Sequence, residues 1–258
     1  MNQPPHDGAA RIAQSLVRAR TERRTESVAA LSDCLRDAAD AYEAQRLAAE
    51  ALPKLQPATP PVWKSGGAGR AATLTHAALP GGGVWASPAD ARRHHFNFRF
   101  IEAEVALRLA RDVTPKDAVA LTHEEGPGLL DAMTVSIEIV DFRWSENVNA
   151  PALFKLADLQ SHGALVLGAW IPYQARDWAA QHCEVRIGAA SHEFTGTHAL
   201  GEPAWLLPLW LRHATRNGAT LPAGSAVTTG TWCGLLPAQT GDLVRVTFAG
   251  IGEASVHL

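Results

Sequence analysis

Phe100-Ile101-Glu102-Ala103-Glu104-Val105-Ala106-Leu107 is the stretch on which the reading of this chain turns. Ile101, Ala103, Val105, Leu107 and Leu109 alternate with the other residues at the period of a half-buried strand, so Glu102 and Glu104 share the opposite face. A second stretch, Thr134-Val135-Ser136-Ile137-Glu138-Ile139-Val140-Asp141, repeats the pattern, with Val135, Ile137 and Ile139 on one side and Glu138 on the other. On the outer face of an antiparallel sheet such glutamates would simply be solvated. On a buried face they repel one another and carry a heavy desolvation cost unless a cation sits among them. Donors that are all oxygen select a hard ion, Mg²⁺ or Mn²⁺, over zinc.

Working outward, the 258 residues are 47% hydrophobic and 19% charged with a net charge of −3, enough to bury a sizeable core in one large domain or one domain with a small appendage. Basic residues are scattered apart from Arg18 to Arg24 and Arg92-Arg93, which read as solvated faces, so no nucleic-acid partner is expected. No apolar run reaches the length of a membrane span, and Met1-Asn2-Gln3-Pro4-Pro5-His6 lacks a signal-peptide core; a cytoplasmic protein with no membrane partner is expected. Cys34, Cys183 and Cys233 are odd in number and lack metal-type spacing, which argues against a disulfide framework.

Residues 1 to 8 read as a disordered lead-in. Ala9 to Leu52 reads as helix interrupted over Thr21 to Ser27, with one stripe at Ile12, Leu16 and Val17 and another at Leu31, Leu35, Ala38, Ala39 and Tyr42. Pro53, Pro57, Pro60 and Pro61 then place a boundary between a helical segment, 1–61, and a β-rich domain, 62–258. The glycine-rich region from Gly66 to Ser87 reads as a mobile loop able to close over a site. Short strands dominate thereafter, at roughly 96–110, 134–144, 164–172, 183–188, 227–231, 243–248 and 253–257, with helices near Pro115 to Thr122 and from Pro203 to Asn217, the latter capped by Gly218. The fold class is α+β, helices first and a mixed, mostly antiparallel sheet region behind.

Further motifs accompany the glutamates. Asp40-Ala41-Tyr42-Glu43-Ala44-Gln45, Trp63-Lys64-Ser65-Gly66, Ile137-Glu138-Ile139-Val140-Asp141 and Asp158-Leu159-Gln160-Ser161-His162-Gly163 follow in order, and Leu200-Gly201-Glu202-Pro203, Thr229-Gly230-Thr231 and Gly241-Asp242-Leu243-Val244-Arg245-Val246 close the set. From about Asp40 to the C-terminus the chain resembles the hydratase and decarboxylase branch of the fumarylacetoacetate hydrolase superfamily, the 2-keto-4-pentenoate hydratases and 4-oxalocrotonate decarboxylases. The resemblance implies a β-roll or sandwich with a metal at its open end, a homo-oligomer, and a lyase acting on 2-oxo or 2-hydroxydienoic acids of aromatic meta-cleavage catabolism through a dienolate that the metal stabilises.

Within that resemblance, Glu102, Glu104 and Glu138 are the metal ligands. Lys64 becomes a general acid or base, or an anchor for the substrate carboxylate; standing alone it would be a surface lysine. Asp158 and Ser161 carry over to catalytic or supporting roles, although Asp158 also fits a plain turn residue. Lys155 is placed to pair with either. Gly230 and Thr231 are expected to meet the substrate carboxylate, against an ordinary turn. His162, where relatives have a small residue, is either a proton donor or packing. His94 and His95, neighbours on a strand, would face opposite ways and cannot readily share one ion. Trp85, Trp144 and Trp232 read as core or pocket wall.

One departure stands out. Relatives carry an Asp beside the proline in the stretch matching Leu79-Pro80-Gly81-Gly82-Gly83-Val84, where it assists the lysine in activating water; here three glycines follow the proline. This favours decarboxylation over hydration. Two alternatives stay open: an acylpyruvase-type C–C hydrolase, a branch that usually shows Glu-Pro-Glu with a third Asp ligand, and a non-catalytic metal-binding scaffold of the same fold.

Overall fold

The computed structural model describes residues 7–258. The helices are α1 (Gly8–Glu22), α2 (Ala38–Ala51), α3 (Pro115–Ala120), α4 (Ala152–Ala157) and α5 (Leu207–Ala214). The first seven strands are β1 (Val62–Gly66), β2 (Thr75–Ala78), β3 (Val84–Ala86), β4 (Ala89–Asp90), β5 (Phe100–Leu109), β6 (Leu130–Val140) and β7 (His162–Leu167). They are followed by β8 (Ile171–Pro172), β9 (His182–Ile187), β10 (Ala190–Thr195), β11 (Ala226–Thr228), β12 (Leu236–Pro237), β13 (Leu243–Phe248) and β14 (Gly252–His257).

Two curled sheets hold the main core. The larger runs β2-β1-β11-β5-β6-β7-β3, with β12 on β5 and β8 on β6; the smaller runs β10-β9-β13-β14-β4. Pairing is antiparallel except for β1 with β11, β3 with β7 and β14 with β4. The apolar alternation decides which face meets which sheet: Ile101, Ala103, Val105 and Leu107 of β5 and Val135, Ile137 and Ile139 of β6 pack in one core with Val185, Val244, Val246 and Val256 of the smaller sheet. The opposite face of β5 and β6 therefore carries the glutamates. It is covered as well, since Glu104, Ser136 and Glu138 are fully buried.

The helical segment shares a second core with residues 144–157. Ile12 and Leu16 of α1 and Ala41 and Ala44 of α2 pack against Trp144, Phe154 and Leu156. Two residues of the Tyr-x-x-Gln element fasten it: the Tyr42 hydroxyl accepts the His76 amide at 3.2 Å, and Gln45 Nε2 donates to the Leu156 carbonyl at 2.5 Å. Asp37 caps α2 by accepting the Asp40 amide, and Thr114 and Asp117 form a reciprocal capping box on α3.

Several expectations need correction. Gly8 opens α1, so the lead-in is shorter than residues 1 to 8; residues 1–6, including Met1 to His6, lie outside the described residues. The break between α1 and α2 spans 23–37 rather than 21–27. Its backbone is committed elsewhere: Glu26 donates to the Arg143 carbonyl at 2.8 Å and accepts from Ser145 at 2.8 Å, so Leu31 and Leu35 pack from outside a regular α-helix. Gly66 to Ser87 is not a free loop. β2 pairs along β1, the glycines 81–83 form a single tight turn, and β3 adds to β7. His94 and His95 precede β5 in an exposed loop rather than a strand. Trp144 and Trp232 are buried as expected, and among the described residues no helix is long and apolar enough to cross a membrane.

Candidate metal centre and its cavities

Strand register builds the site. Glu102 on β5 pairs directly with Glu138 on β6, and Glu104 lies two residues on, opposite Ser136. A ligand oxygen from each carboxylate falls within 4.8 Å of the others. Glu104 is held by backbone and hydroxyl donors of the segment after β11: the Thr228 hydroxyl donates to it and the Gly230 amide donates at 3.1 Å. Its other oxygen, Oε1, is buried with no hydrogen-bond partner. Burial, followed by the charges of Glu138 and Glu102, pushes the Glu104 carboxyl up to about 8. A hard divalent ion would satisfy that orphan oxygen and offset the repulsion, so the donor set fits Mg²⁺-type chemistry.

Lys64 reaches the cluster from β1. Its ammonium lies 2.6 Å from Glu138 Oε2 and 3.3 Å from Glu102 Oε2, and donates to the Gln160 carbonyl at 3.4 Å. Burial alone would lower its pKa, but the carboxylates outweigh that and raise it. The same lysine, with His162, holds Glu138 below the usual carboxylate range despite its burial, whereas burial raises Glu102.

The Asp158–His162 segment approaches from the other side. Leu159, Gln160 and Ser161 all have left-handed backbone, with φ of 53°, 55° and 61°, a conformation that side chains disfavour and that three consecutive non-glycine residues adopt only when clamped. Asp158 supplies the clamp. Buried at 1% exposure, it accepts from Arg143 Nε at 2.7 Å and from Arg20 at 2.8 Å, while Arg143 also donates to Asp141 and to the His162 carbonyl at the far end of the strained stretch.

Two cavities flank the centre. One of about 460 Å³ is lined by Lys64, Thr75, Glu102, Phe142, Lys155, Ser161 and Leu235. The other, of about 280 Å³, is lined by Lys64, Gly66, Glu102, Glu104, His198, Gly230 and Thr231. Lys64, Glu102, Thr75, Gly67 and Gln160 belong to both, so the two form lobes around one centre.

The structure thus brings together Lys64, Glu102, Glu104, Glu138, Ser161, Lys155, Gly230 and Thr231. Ser161 Oγ is buried without a partner and free for a ligand. Lys155 does not pair with Asp158 or Ser161; it donates to the Val148 carbonyl at 3.0 Å, because the guanidinium groups of Arg143 and Arg20 already occupy Asp158. Asp158 lines neither lobe and stands behind the site. The Gly230 amide is turned to Glu104 rather than into the cavity, and the Thr231 hydroxyl is engaged in its turn, accepting the Cys233 amide at 3.2 Å and donating to Gly234 at 3.0 Å. His162 also lines neither lobe: its Nδ1 lies 3.3 Å from Glu138 Oε1, behind that carboxylate.

Sequence reasoning missed Thr228, Gln160, Arg143 and His198. His198 donates through Nε2 to the Thr229 carbonyl at 2.9 Å, leaves Nδ1 unpartnered, and is pushed by burial to about 4. A signal existed for Arg143, two residues after Asp141 in an otherwise apolar run. None existed for His198. Cys233 is buried, its sulfur accepting the Ala103 amide between the two β5 glutamates.

Residues 37–258 match the fumarylacetoacetate (FAA) hydrolase C-terminal family, and the chain belongs to it. It is 32% identical over 167 residues to 2-keto-4-pentenoate hydratase 1 of Dechloromonas aromatica (strain RCB), a match covering 60% of this chain and 58% of that protein. It is 30% identical over 159 residues to the TodF product hydratase of Pseudomonas putida F1, covering 60% and 57%. The match therefore spans under two thirds of these curated relatives. In fold the chain is similar along its whole length to 4-oxalocrotonate decarboxylase from Pseudomonas putida G7 complexed with magnesium and adipate, with a TM-score of 0.79, 18% identity, and coverage of 100% and 99%. The same enzyme complexed with calcium and acetate gives a TM-score of 0.77.

Proposed function

We propose that this family member is a Mg²⁺-dependent lyase of 2-oxo or 2-hydroxydienoic acids, and that it decarboxylates better than it hydrates. The observation that carries the reading is Lys64, a buried cation set between two carboxylates of a three-glutamate cluster and lining both lobes. Glu102, Glu104 and Glu138 would hold Mg²⁺ or Mn²⁺, which supplies Lewis acidity at the carboxylate and keto oxygens of a 2-oxo acid. Lys64 then directs its ammonium at those same oxygens, where negative charge gathers as a carboxyl group leaves the far end of the conjugated chain. Lys155, which with Lys64 supplies the cations lining the larger lobe among the described residues, suits a second carboxylate, while Phe142 and Leu235 hold the carbon chain away from water. Ser161, with its hydroxyl unengaged, is the nearest candidate to pass a proton to carbon.

Hydration needs a group that orients water, and among the described residues the lobes are lined by no carboxylate beyond the glutamates of the cluster. A Cβ on Gly83 would stand 3.3 Å from His162 Nε2, so the imidazole occupies the space a side chain at 83 would use; Gly81 faces the backbone of Ala58 instead. His162 accordingly acts through Glu138, holding that ligand, and Asp158 acts through Arg143. The test is a panel of 2-oxo acids and dienoates supplied with Mg²⁺. Release of CO₂ from 2-oxo-3-hexenedioate should outpace hydration of 2-hydroxypenta-2,4-dienoate, and removal of divalent ions should abolish both. Efficient hydration without CO₂ would overturn the preference, and no turnover of any member would favour a scaffold. Cytoplasmic location and a homo-oligomer extend the reading by family resemblance, and sedimentation would test the latter.

A further inference from the structure

A third cavity, of about 330 Å³, lies on the other side of His162 from Glu138, between the helical segment and the turn at 81–83. Its walls carry Arg20, Arg23, Lys54, Arg93 and Arg143 against a single carboxylate, Asp141. Arg20 and Arg143 are answered by Asp158 and Asp141. Arg23, Lys54 and Arg93 have no carboxylate partner among the described residues. Three uncompensated cations around one concavity repel each other, and burial together with Arg20 and Arg23 already pulls the Lys54 ammonium below the usual lysine range.

A second, independent feature points into the same space. His162 is 1% exposed, and its Nε2 is buried with no hydrogen-bond partner, aimed at Gly83 on the cavity wall. With Nδ1 facing a carboxylate oxygen, the neutral ring carries its proton there, which leaves Nε2 an acceptor in want of a donor. The wall thus asks for negative charge at its rim and an O–H at its base. Trp85 and His94, with ring centroids 4.5 Å apart, close one flank, and the volume is at the small end for ligand cavities, too small for a polymer segment.

We propose that this cavity is an anion site for a small oxyanion that also bears a hydroxyl, a hydrogen phosphate or a hydroxycarboxylate, with Arg23, Lys54 and Arg93 meeting the charge and the ligand's O–H donating to His162 Nε2. It is separate from the carboxylate lobes, which share none of these cations. Lys64 and Lys155 line those lobes, so variants at the rim of this cavity, which leave both lysines in place, separate binding here from binding there.

Calorimetry on the full chain, freed of divalent ions, would use inorganic phosphate, malate and succinate as separate titrants. Phosphate, malate or both should bind, and whichever does identifies the source. Lys54→Glu combined with Arg93→Glu, both exposed positions, should weaken that binding by more than about tenfold, the scale of losing charge-assisted contacts. Arg245→Glu, an exposed charge reversal on the smaller sheet, should leave it unchanged. Succinate, which differs from malate by the hydroxyl alone, should bind up to about tenfold more weakly. The proposal is overturned if neither phosphate nor malate binds, if the rim variants bind as the parent does, or if Arg245→Glu weakens binding equally. Equal affinities for succinate and malate would remove His162 from the site.

Discussion

Two buried ionic groups lie back to back in this protein, and they are built on opposite principles. Around Asp141 and Asp158, two carboxylates meet two guanidinium groups, Arg143 and Arg20, with Arg143 making bonds at 2.7, 2.8 and 3.1 Å and closing on the His162 carbonyl. Charge is balanced. Around Glu102, Glu104 and Glu138, three carboxylates meet one ammonium, and an oxygen of Glu104 is left without a partner. A buried group that is saturated stabilises a geometry; one left unbalanced is waiting for a ligand. The strained 159–161 segment lies between them, clamped by the first and serving the second.

The largest effect should come from the unbalanced side. Lys64→Met should lower kcat by about two to four orders of magnitude, the range for losing a group that acts in the transition state. A change in KM alone would make the lysine a simple carboxylate anchor. On the balanced side, Asp158→Asn removes the counter-charge that Arg143 and Arg20 share, leaves Asp141 alone to face both buried guanidinium groups, and should cost about 3–5 kcal/mol of stability in urea unfolding. Its Mg²⁺ affinity should hold. Loss of turnover at full stability would instead place Asp158 in contact with substrate and erase the contrast.

Glu104→Gln should weaken Mg²⁺ binding by more than about tenfold in calorimetry, since a charged ligand is lost, while the metal-free protein becomes no less stable because a repelling carboxylate has gone. Unchanged metal affinity would sink the ligand assignment. The smallest effect concerns pH. Burial holds His76 at about 4 and His213 at about 3, both below the ordinary imidazole. Between about pH 6.5 and 4 the unfolded chain binds protons that these folded histidines refuse, so their contribution is complete above pH 6.5 and declines on acidification through that window. His213→Phe keeps a ring against Tyr42 and His76, 4.4 and 4.5 Å away by centroid, and should flatten the fall of Tm with pH relative to the parent. An unaltered slope would show that other groups govern the acid limb.

The period-two patterns at 101–109 and 135–139 made the sheet and the shared face of its glutamates legible, because an apolar core on one side and carboxylates on the other write opposite residue types at alternate positions. The strand opening at Val62 after the Pro-rich stretch was legible for the same local reason, whereas the helix read over Pro203 to Asn217 with Gly218 as its cap was not: α5 spans Leu207–Ala214, Thr215 stands at its C-cap and Gly218 lies beyond it. Other features were not. Leu31 and Leu35 have helical spacing yet sit outside a regular α-helix, since the Glu26 backbone bonds to Arg143 and Ser145, 117 and more residues along the chain, take precedence over local propensity. Lys64, inside β1, could be singled out by the family resemblance of Trp63-Lys64-Ser65-Gly66, but its pairing with Glu138 depends on β1 joining β11 in parallel beside β5.

What the sequence determined by itself is the donor set: three carboxylates on one face of adjacent strands, a lysine before a glycine turn, and no acid at 81–83. Tertiary structure decided the division of labour among them. It turned Gly230 and Thr228 toward Glu104, set Asp158 behind the cluster with Arg143, and kept His162 out of the two lobes and in the wall of a separate cationic cavity. Residue type and strand period fix which side of a sheet a group is on, but which partner reaches a buried charge first depends on contacts between distant segments, and at low dielectric that choice outweighs any local preference.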